Sequence, residues 1–208
     1  MKRRVVLSAI LIISLWITAC SANQHIDDST GDNISEIVTA KSEIQSKIKN
    51  SPEKTGVIAE QILNGDDGEI HYSYYLPKDY SESKIYPLMM TMPGYDMMWF
   101  GEDSSGSNLK WSGFQVWTEL PEEMIAVSAQ LTDWHETSAR QVIELTEYFI
   151  ENFSVDPTRV YAAGYSAGGE TMSQAVSIRP DLYAAYLHGA SQGDGNYEPI
   201  AQNDVAVY

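Results

Sequence analysis

Ser166 is the residue of this sequence that is best placed to do covalent chemistry. Residues 164–168 read Gly-Tyr-Ser-Ala-Gly, and they follow directly on the apolar run from Val160 to Ala163. Glycines on both sides of a serine allow a sharp turn from a strand into a helix, which holds the hydroxyl out at the end of a sheet. A serine hydroxyl presented in this way can act as a nucleophile in acyl transfer once a base takes its proton.

The loop around Gly94 is the second candidate for a catalytic role. The apolar segment from Tyr86 to Met92 predicts a buried strand, and it ends at Pro93, Gly94 and Tyr95. In hydrolases with a serine at such a turn, one backbone N–H that stabilises the oxyanion belongs to the residue after the serine, here Ala167. The other comes from the loop after an earlier strand. We therefore predict an oxyanion hole formed by Ala167 with Tyr95 or Gly94. The alternative is a Pro-Gly turn with no catalytic part.

The segments around these residues predict an α/β fold with a mostly parallel sheet flanked by helices. Apolar and alternating stretches indicate strands, and apolar residues at helical spacing indicate the helices between them. Strand, helix and strand in this order form a right-handed crossover, which makes the neighbouring strands parallel. The predicted strands are Val57–Leu63, Glu69–Leu76, Tyr86–Met92, Ile125–Ala129, Val160–Ala163, Tyr183–His188 and Asp204–Tyr208, and the predicted helices are Ser138–Phe153 and the segment from Ser166 to Ile178.

The composition excludes some classes of partner and cofactor. The 208 residues carry a formal net charge of -16, whereas a nucleic-acid binder needs clustered Lys and Arg to contact phosphates. We therefore predict no nucleic-acid partner. The glycines between 164 and 169 lack the spacing of a dinucleotide or phosphate-binding loop, and no group of His, Asp and Glu has metal-ligand spacing. We predict neither a cofactor nor a metal, since hydrolysis by an activated serine needs none.

The N-terminus has the form of an export signal. Residues 2–4 are basic, and they precede an apolar core, Val5 to Ile17, that is too short for an ordinary membrane span. The sequence Ile-Thr-Ala-Cys that ends at Cys20 resembles the bacterial lipoprotein box, in which the cysteine becomes the lipid-bearing N-terminus after cleavage. We predict a signal peptide over residues 1–19, lipidation at Cys20, and anchoring in the bacterial cell membrane, facing outside the cytoplasm. The alternative is a simple secretory signal with a chance cysteine.

Two further segments have a predicted role. Residues 20–55 are polar and predict a tether, with a possible short amphipathic helix between Ile34 and Ile48. The segment from Met97 to Trp117 is rich in aromatic residues. These side chains would either grip a substrate near Ser166 or form local core, and the sequence leaves both interpretations open.

Taken together, the motifs resemble the α/β-hydrolase superfamily, and within it the secreted bacterial esterases of the polyhydroxybutyrate-depolymerase, feruloyl-esterase and acetyl-xylan-esterase kind. The resemblance covers roughly Val57 to Tyr208. It rests on the hairpin predicted from the strands Val57–Leu63 and Glu69–Leu76 and on the Pro-Gly-Tyr loop at 93–95. It also rests on the Asp-Pro-x-Arg-Val-Tyr sequence at 156–161, which leads to Gly-Tyr-Ser-Ala-Gly-Gly. It implies that Ser166 is the nucleophile, that Ala167 with Tyr95 or Gly94 binds the oxyanion, and that the substrate is a small-molecule or polymer ester. The usual His-Gly opening of the oxyanion loop is replaced here by Met-Pro-Gly.

The resemblance also implies an acid and then a histidine after the serine, with the acid just beyond the strand that begins near Val205. The sequence ends before both positions, so we predict an incomplete hydrolase domain over residues 56–208, truncated before its last strands. Of the four histidines only His188 follows Ser166. We interpret it as a structural histidine, because a role as base would break the order of acid before histidine.

Two functions remain open at this point. The chain is either the nucleophile-bearing part of a lipid-anchored serine hydrolase that cleaves carboxylic esters through an acyl-enzyme, or a catalytically inactive surface lipoprotein of hydrolase-like fold that binds a ligand or a partner.

Overall fold

The computed structural model describes residues 55–208 of the chain. The predicted signal peptide, Cys20 and the predicted tether up to residue 54 lie outside the described residues. In the described range, no helix is long and apolar enough to cross a membrane. The strands are β1 (Gly56–Gly65), β2 (Gly68–Leu76), β3 (Tyr86–Met92), β4 (Ile125–Gln130), β5 (Val155–Tyr165), β6 (Ala185–Gly189) and β7 (Ala206–Val207), and the α-helices are α1 (Ser112–Thr118), α2 (Glu136–Asn152), α3 (Ala167–Ile178) and α4 (Tyr197–Gln202).

The strands of residues 55–208 form one seven-stranded sheet in the order β1-β2-β4-β3-β5-β6-β7. The β1–β2 hairpin joins the sheet in antiparallel orientation, and all pairs from β4 to β7 are parallel. The carboxyl ends of the parallel strands therefore lie along one edge of the sheet. Both β3, which leads into Gly94, and β5, which leads into Ser166, end at this edge. The predicted mostly parallel sheet with flanking helices is confirmed.

The alternation of side chains along β3 explains how the sheet is buried on both faces. Leu88 and Met90 belong to the large core cluster, which includes Phe149 of α2 and Met172 of α3. Met89 points the other way and joins a smaller cluster with Phe114 of α1. A strand covered on both faces is apolar throughout, which is the pattern that predicted it.

Several predicted boundaries differ from the structure, and two of these differences lie at the strands β5 and β6 next to Ser166. Residues 155–158 lie before the predicted strand Val160–Ala163, but they are the first residues of β5. The Asp156 carboxylate accepts hydrogen bonds from the backbone N–H and the hydroxyl of Thr158. These side-chain bonds take the place of the backbone hydrogen bond that a turn would form. The strand expected from Tyr183 begins only at Ala185, because Tyr183 still donates its N–H to Pro180 at the end of a 3₁₀ turn.

Candidate active site

Ser166 lies at a sharp, strained junction between β5 and α3. Its backbone has φ 52° and ψ -122°, a conformation that non-glycine residues rarely adopt. The backbone N–H of Ser166 donates to the carbonyl oxygen of Gly189, 3.0 Å away, and its own carbonyl accepts the N–H groups of Gly169 and Glu170 in the first turn of α3. These bonds hold the serine in the strained conformation, as the Gly-x-Ser-x-Gly pattern predicted.

The two glycines of this pattern are required by close backbone contacts. A Cβ atom at Gly164 would overlap the carbonyl oxygen of Gly168, and a Cβ atom at Gly168 would overlap the carbonyl oxygens of Met92 and Pro93. Because these obstacles are backbone atoms, no rotation of a side chain could relieve them. The first turn of α3 therefore packs directly on the end of β3.

The loop after β3 lies beside Ser166. A Cβ atom built on Gly94 would lie 3.4 Å from the Cβ atom of Ser166 and 3.2 Å from Cδ1 of Tyr165. Within residues 55–208, the backbone N–H groups of Gly94, Tyr95 and Ala167 have no hydrogen-bond acceptor. The structure thus places Gly94 beside the predicted nucleophile, and the backbone N–H groups of the three predicted oxyanion donors donate to no partner within residues 55–208.

No histidine of the described residues hydrogen-bonds the Ser166 hydroxyl. The imidazole of His71 stacks on Trp99 with ring centroids 3.5 Å apart. Burial lowers the pKa of His71, while the Glu69 carboxylate at 3.6 Å opposes the shift. His135 is the residue before the first turn of α2. Residues 55–208 therefore place no imidazole within hydrogen-bond distance of the Ser166 hydroxyl.

His188, the histidine that follows Ser166 in sequence, has both ring nitrogens occupied. Its Nδ1 lies 2.6 Å from the Tyr186 hydroxyl, and its Nε2 lies 3.0 Å from the carbonyl oxygen of Ser191. Both ring nitrogens thus lie within hydrogen-bond distance of a partner, as expected for a structural histidine.

The aromatic residues of the segment from Met97 to Trp117 and its neighbours take up three kinds of position: the core, a cavity and the rim of the site. Phe114 is buried, so for this residue the local-core interpretation holds. Trp111 and Trp117 line an apolar cavity of about 490 Å³, together with Tyr165 and Leu187. Neither Tyr165 nor Leu187 was singled out from the sequence, because an apolar residue in a strand gives no sign of which face remains open.

The rim of the site next to the oxyanion loop is also aromatic. The exposed rings of Tyr95 and Phe100 contact each other with centroids 5.0 Å apart, and Tyr95 meets Trp134 edge-on at 5.8 Å. Trp134 comes from the loop after β4, which sequence reasoning treated only as a connection. Exposed aromatic side chains that touch one another beside a reactive group are typical of a binding surface.

The fold has counterparts among solved structures. A structure described as a thermostable esterase matches with a TM-score of 0.56 and 18% sequence identity, over 73% of this chain and 45% of that chain. A fungal esterase structure from Rhizomucor miehei matches with a TM-score of 0.50 and 16% identity, over 84% of this chain and 56% of that chain. The chain has the α/β-hydrolase fold. It spans about half the length of these α/β-hydrolase structures.

The sequence comparison with family models covers the region around Ser166. Residues 128–196 match the prolyl oligopeptidase family model, Peptidase_S9. This stretch is less than half of the chain, and it includes β5, Ser166 and α3 of the α/β-hydrolase fold. No curated protein matches the sequence significantly.

Proposed function

We propose that Ser166 is the nucleophile of a serine hydrolase that cleaves carboxylic esters. The observation that carries the proposal is the strained position of Ser166 beside Gly94, together with the N–H groups of Gly94, Tyr95 and Ala167, which have no acceptor within residues 55–208. Strain at a residue that its surroundings hold in place is characteristic of reactive sites. Unpaired N–H groups beside a nucleophile are the donors that a developing oxyanion needs.

In this mechanism the Ser166 oxygen attacks the ester carbonyl carbon while its proton passes to a base. The electron pair of the carbonyl moves onto the oxygen, where the N–H of Ala167 and that of Tyr95 or Gly94 stabilise the negative charge. The intermediate then expels the alcohol, which takes up the proton from the base, and leaves an acyl-enzyme. Water repeats the same steps to release the acid and to restore the serine hydroxyl. Removing one such oxyanion donor typically lowers kcat by a factor of about 10² to 10³.

We propose that the base comes from outside residues 55–208. The three histidines of the described range have other surroundings: His71 stacks on Trp99, His135 precedes α2, and both ring nitrogens of His188 face partners other than Ser166. A serine without a base is a weak nucleophile at neutral pH. The same observation favours the second candidate function, an inactive binding protein of hydrolase fold, and the experiment below separates the two.

The preference for esters is supported by the two solved esterases that share the fold. The exposed rings of Tyr95 and Phe100 beside the site suit an apolar group on the substrate. We also propose that the chain is exported and anchored to the membrane through a lipid on Cys20, which agrees with an acidic chain that contains a single cysteine.

The test of the proposed nucleophile is labelling of the full chain with a fluorophosphonate probe, with and without added imidazole as an external base. We expect weak labelling that rises with imidazole concentration and disappears in Ser166→Ala. The matched control Ser83→Ala, in the loop before β3, should behave as the wild type. Absence of labelling at saturating imidazole would overturn the proposal and favour the inactive binding protein. Strong labelling without imidazole would contradict the assignment of the base to residues outside 55–208.

A further inference from the structure

A chain of hydrogen bonds links the first turn of α3 to the loop after β6. The Tyr186 hydroxyl donates to the carbonyl oxygen of Gly169, at 2.7 Å. The same hydroxyl lies 2.6 Å from Nδ1 of His188, whose Nε2 lies 3.0 Å from the carbonyl oxygen of Ser191. These contacts connect the helix that follows the nucleophile to the loop that begins at Gly189.

The chain of bonds closes into a ring, because Ser191 packs against Gly169. A Cβ atom at Gly169 would collide with the Ser191 side chain, so the absence of a side chain at Gly169 lets the two segments touch. Gly189 lies between His188 and Ser191 along the chain, in the segment that closes this ring. Its carbonyl oxygen accepts the backbone N–H of Ser166. The ring therefore includes the residue whose carbonyl oxygen anchors the backbone of the nucleophile.

The number of hydrogens in the ring depends on the charge of His188. The ring has three hydrogen bonds: Gly169 with Tyr186, Tyr186 with His188, and His188 with Ser191. Carbonyl oxygens only accept, and a tyrosine hydroxyl supplies one hydrogen. A neutral imidazole supplies one more, which leaves one of the three contacts without a hydrogen in either tautomer. An imidazolium supplies two, so that all three contacts are hydrogen bonds.

We propose that His188 is a positioning residue for Ser166, whose imidazolium form completes the ring and fixes the backbone of the nucleophile. The inference rests on the proposed function, since positioning matters to chemistry only if Ser166 reacts. When His188 loses its proton, one contact is released and the loop that holds the Ser166 N–H loosens. His188 acts through Tyr186 and Ser191 and does not take the serine proton.

The other groups around His188 do not supply the hydrogen that the ring lacks when the imidazole is neutral. On β6, burial raises the pKa of the Tyr186 hydroxyl, with a further contribution from Tyr197 of α4, so Tyr186 keeps its hydrogen. The carbonyl oxygen of Tyr208, the residue after β7, accepts the His188 backbone N–H.

The acidic residues nearby are Glu170 in the first turn of α3 and Asp194 in the loop after β6. Asp194 accepts from the Gln174 amide and from the Gly195 N–H. Within residues 55–208, neither carboxylate forms an ion pair with His188.

The test measures amide hydrogen exchange of the full chain across pH 5.5 to 8.5, corrected for the intrinsic pH dependence of exchange, in the peptide that contains residues 164–170. The titration of His188 is followed in parallel by NMR. As His188 loses its proton, we expect the exchange protection of the amides in residues 164–170 to fall about three- to tenfold. A fall of this size corresponds to the loss of one hydrogen bond of ordinary strength. The fall should follow the His188 titration curve.

Three variants make the result specific. In His188→Gln, whose amide donates and accepts but does not titrate, protection should be partly restored relative to His188→Ala and should not vary with pH. Tyr186→Phe should abolish the pH dependence. The matched control Tyr183→Phe also removes a buried tyrosine hydroxyl, which is bonded to Thr146 away from the ring, and it should retain the wild-type profile.

Two outcomes would overturn the inference. One is protection of residues 164–170 that does not follow the His188 titration, and the other is a Tyr183→Phe variant that loses the pH dependence as fully as Tyr186→Phe. Because exchange needs no reaction, this outcome is distinct from a failure of Ser166 to label with fluorophosphonate.

Discussion

Gly168 of α3 lies directly against the carbonyl oxygen of Met92 at the end of β3. This contact joins the strand that leads to the oxyanion loop and the helix that follows the nucleophile. The separation between Ser166 and Gly94 therefore depends on a position where only hydrogen fits. Both halves of the proposed site move together if this contact is disturbed.

We predict that Gly168→Ala destabilises the domain and also removes the reactivity of Ser166. The new methyl group would overlap two backbone carbonyls, which cannot rotate away, so overpacking should cost about 1–3 kcal/mol of unfolding free energy. Urea denaturation followed by circular dichroism measures the loss, and imidazole-dependent fluorophosphonate labelling measures the effect on the site.

Gly94→Ala is the matched control for this substitution. Gly94 has φ -71°, which suits alanine, and its closest obstacle is the exposed ring of Tyr165. We expect unfolding free energy within about 0.5 kcal/mol of the wild type, but slower labelling, because the methyl group narrows the space beside Ser166. Equal stability of the two alanine variants would contradict the contact argued for Gly168.

Replacement of the strained nucleophile gives a second prediction. Ser166 has a positive φ that costs a residue with a Cβ atom roughly 1 kcal/mol or more, whereas glycine adopts such conformations readily. We expect Ser166→Gly to be about 1 kcal/mol more stable than Ser166→Ala, although both lack the nucleophile. The midpoints of urea unfolding decide this, and an alanine variant as stable as the glycine variant would argue against strain at the junction.

The sequence predicts the local parts of this site well, because the information that specifies them is local. The sharp turn at Ser166 can be located from three local features. These are the glycines two residues before and two residues after the serine, the apolar run before it and the helical segment after it. Likewise, the apolar run of β3 and the glycine after it are enough to locate the oxyanion loop. Each feature depends on backbone geometry over a few residues.

The other parts depend on which distant residues the sheet brings together. The ring through Tyr186, His188 and Ser191 exists only because β6 pairs with β5 in a register that sets Gly164 opposite His188. Nothing in the spacing of these residues reveals that register. The same holds for Trp134, which reaches Tyr95 from a loop that follows a different strand.

The start of β5 provides a prediction about pH. The Thr158 hydroxyl, together with the Arg159 guanidinium, lowers the pKa of Asp156 to about 2. Because this value lies below the ordinary value of about 3.9, the ionised carboxylate contributes stability that is fully present above about pH 4 and is lost as the pH falls through about 2.

We therefore expect the wild type to be more stable than Asp156→Asn at pH 6 and the difference to shrink steadily below pH 4. Urea unfolding at a series of pH values measures both curves. Arg140→Gln is the comparison variant, since it breaks a different exposed ion pair, with Asp67, and leaves Asp156 intact. A difference between wild type and Asp156→Asn that stays constant from pH 6 to pH 3 would show that the carboxylate charge is not what holds the start of β5.

The last prediction concerns the anchor. If Cys20 carries a lipid, its acyl chains contribute about 0.8 kcal/mol of membrane binding for each buried CH₂ group, so two or more chains hold the protein on the membrane. Expressed in a bacterium, the wild type should partition into detergent and should gain the mass of a diacylglycerol-modified N-terminus that begins at residue 20. Cys20→Ser should lack the lipid and appear in the aqueous phase or keep its signal peptide. Ser21→Ala, which changes the neighbouring residue and leaves the thiol, is the control and should stay membrane-bound. A wild-type protein cleaved after Ala19 with a free thiol would instead identify the segment as a plain secretory signal.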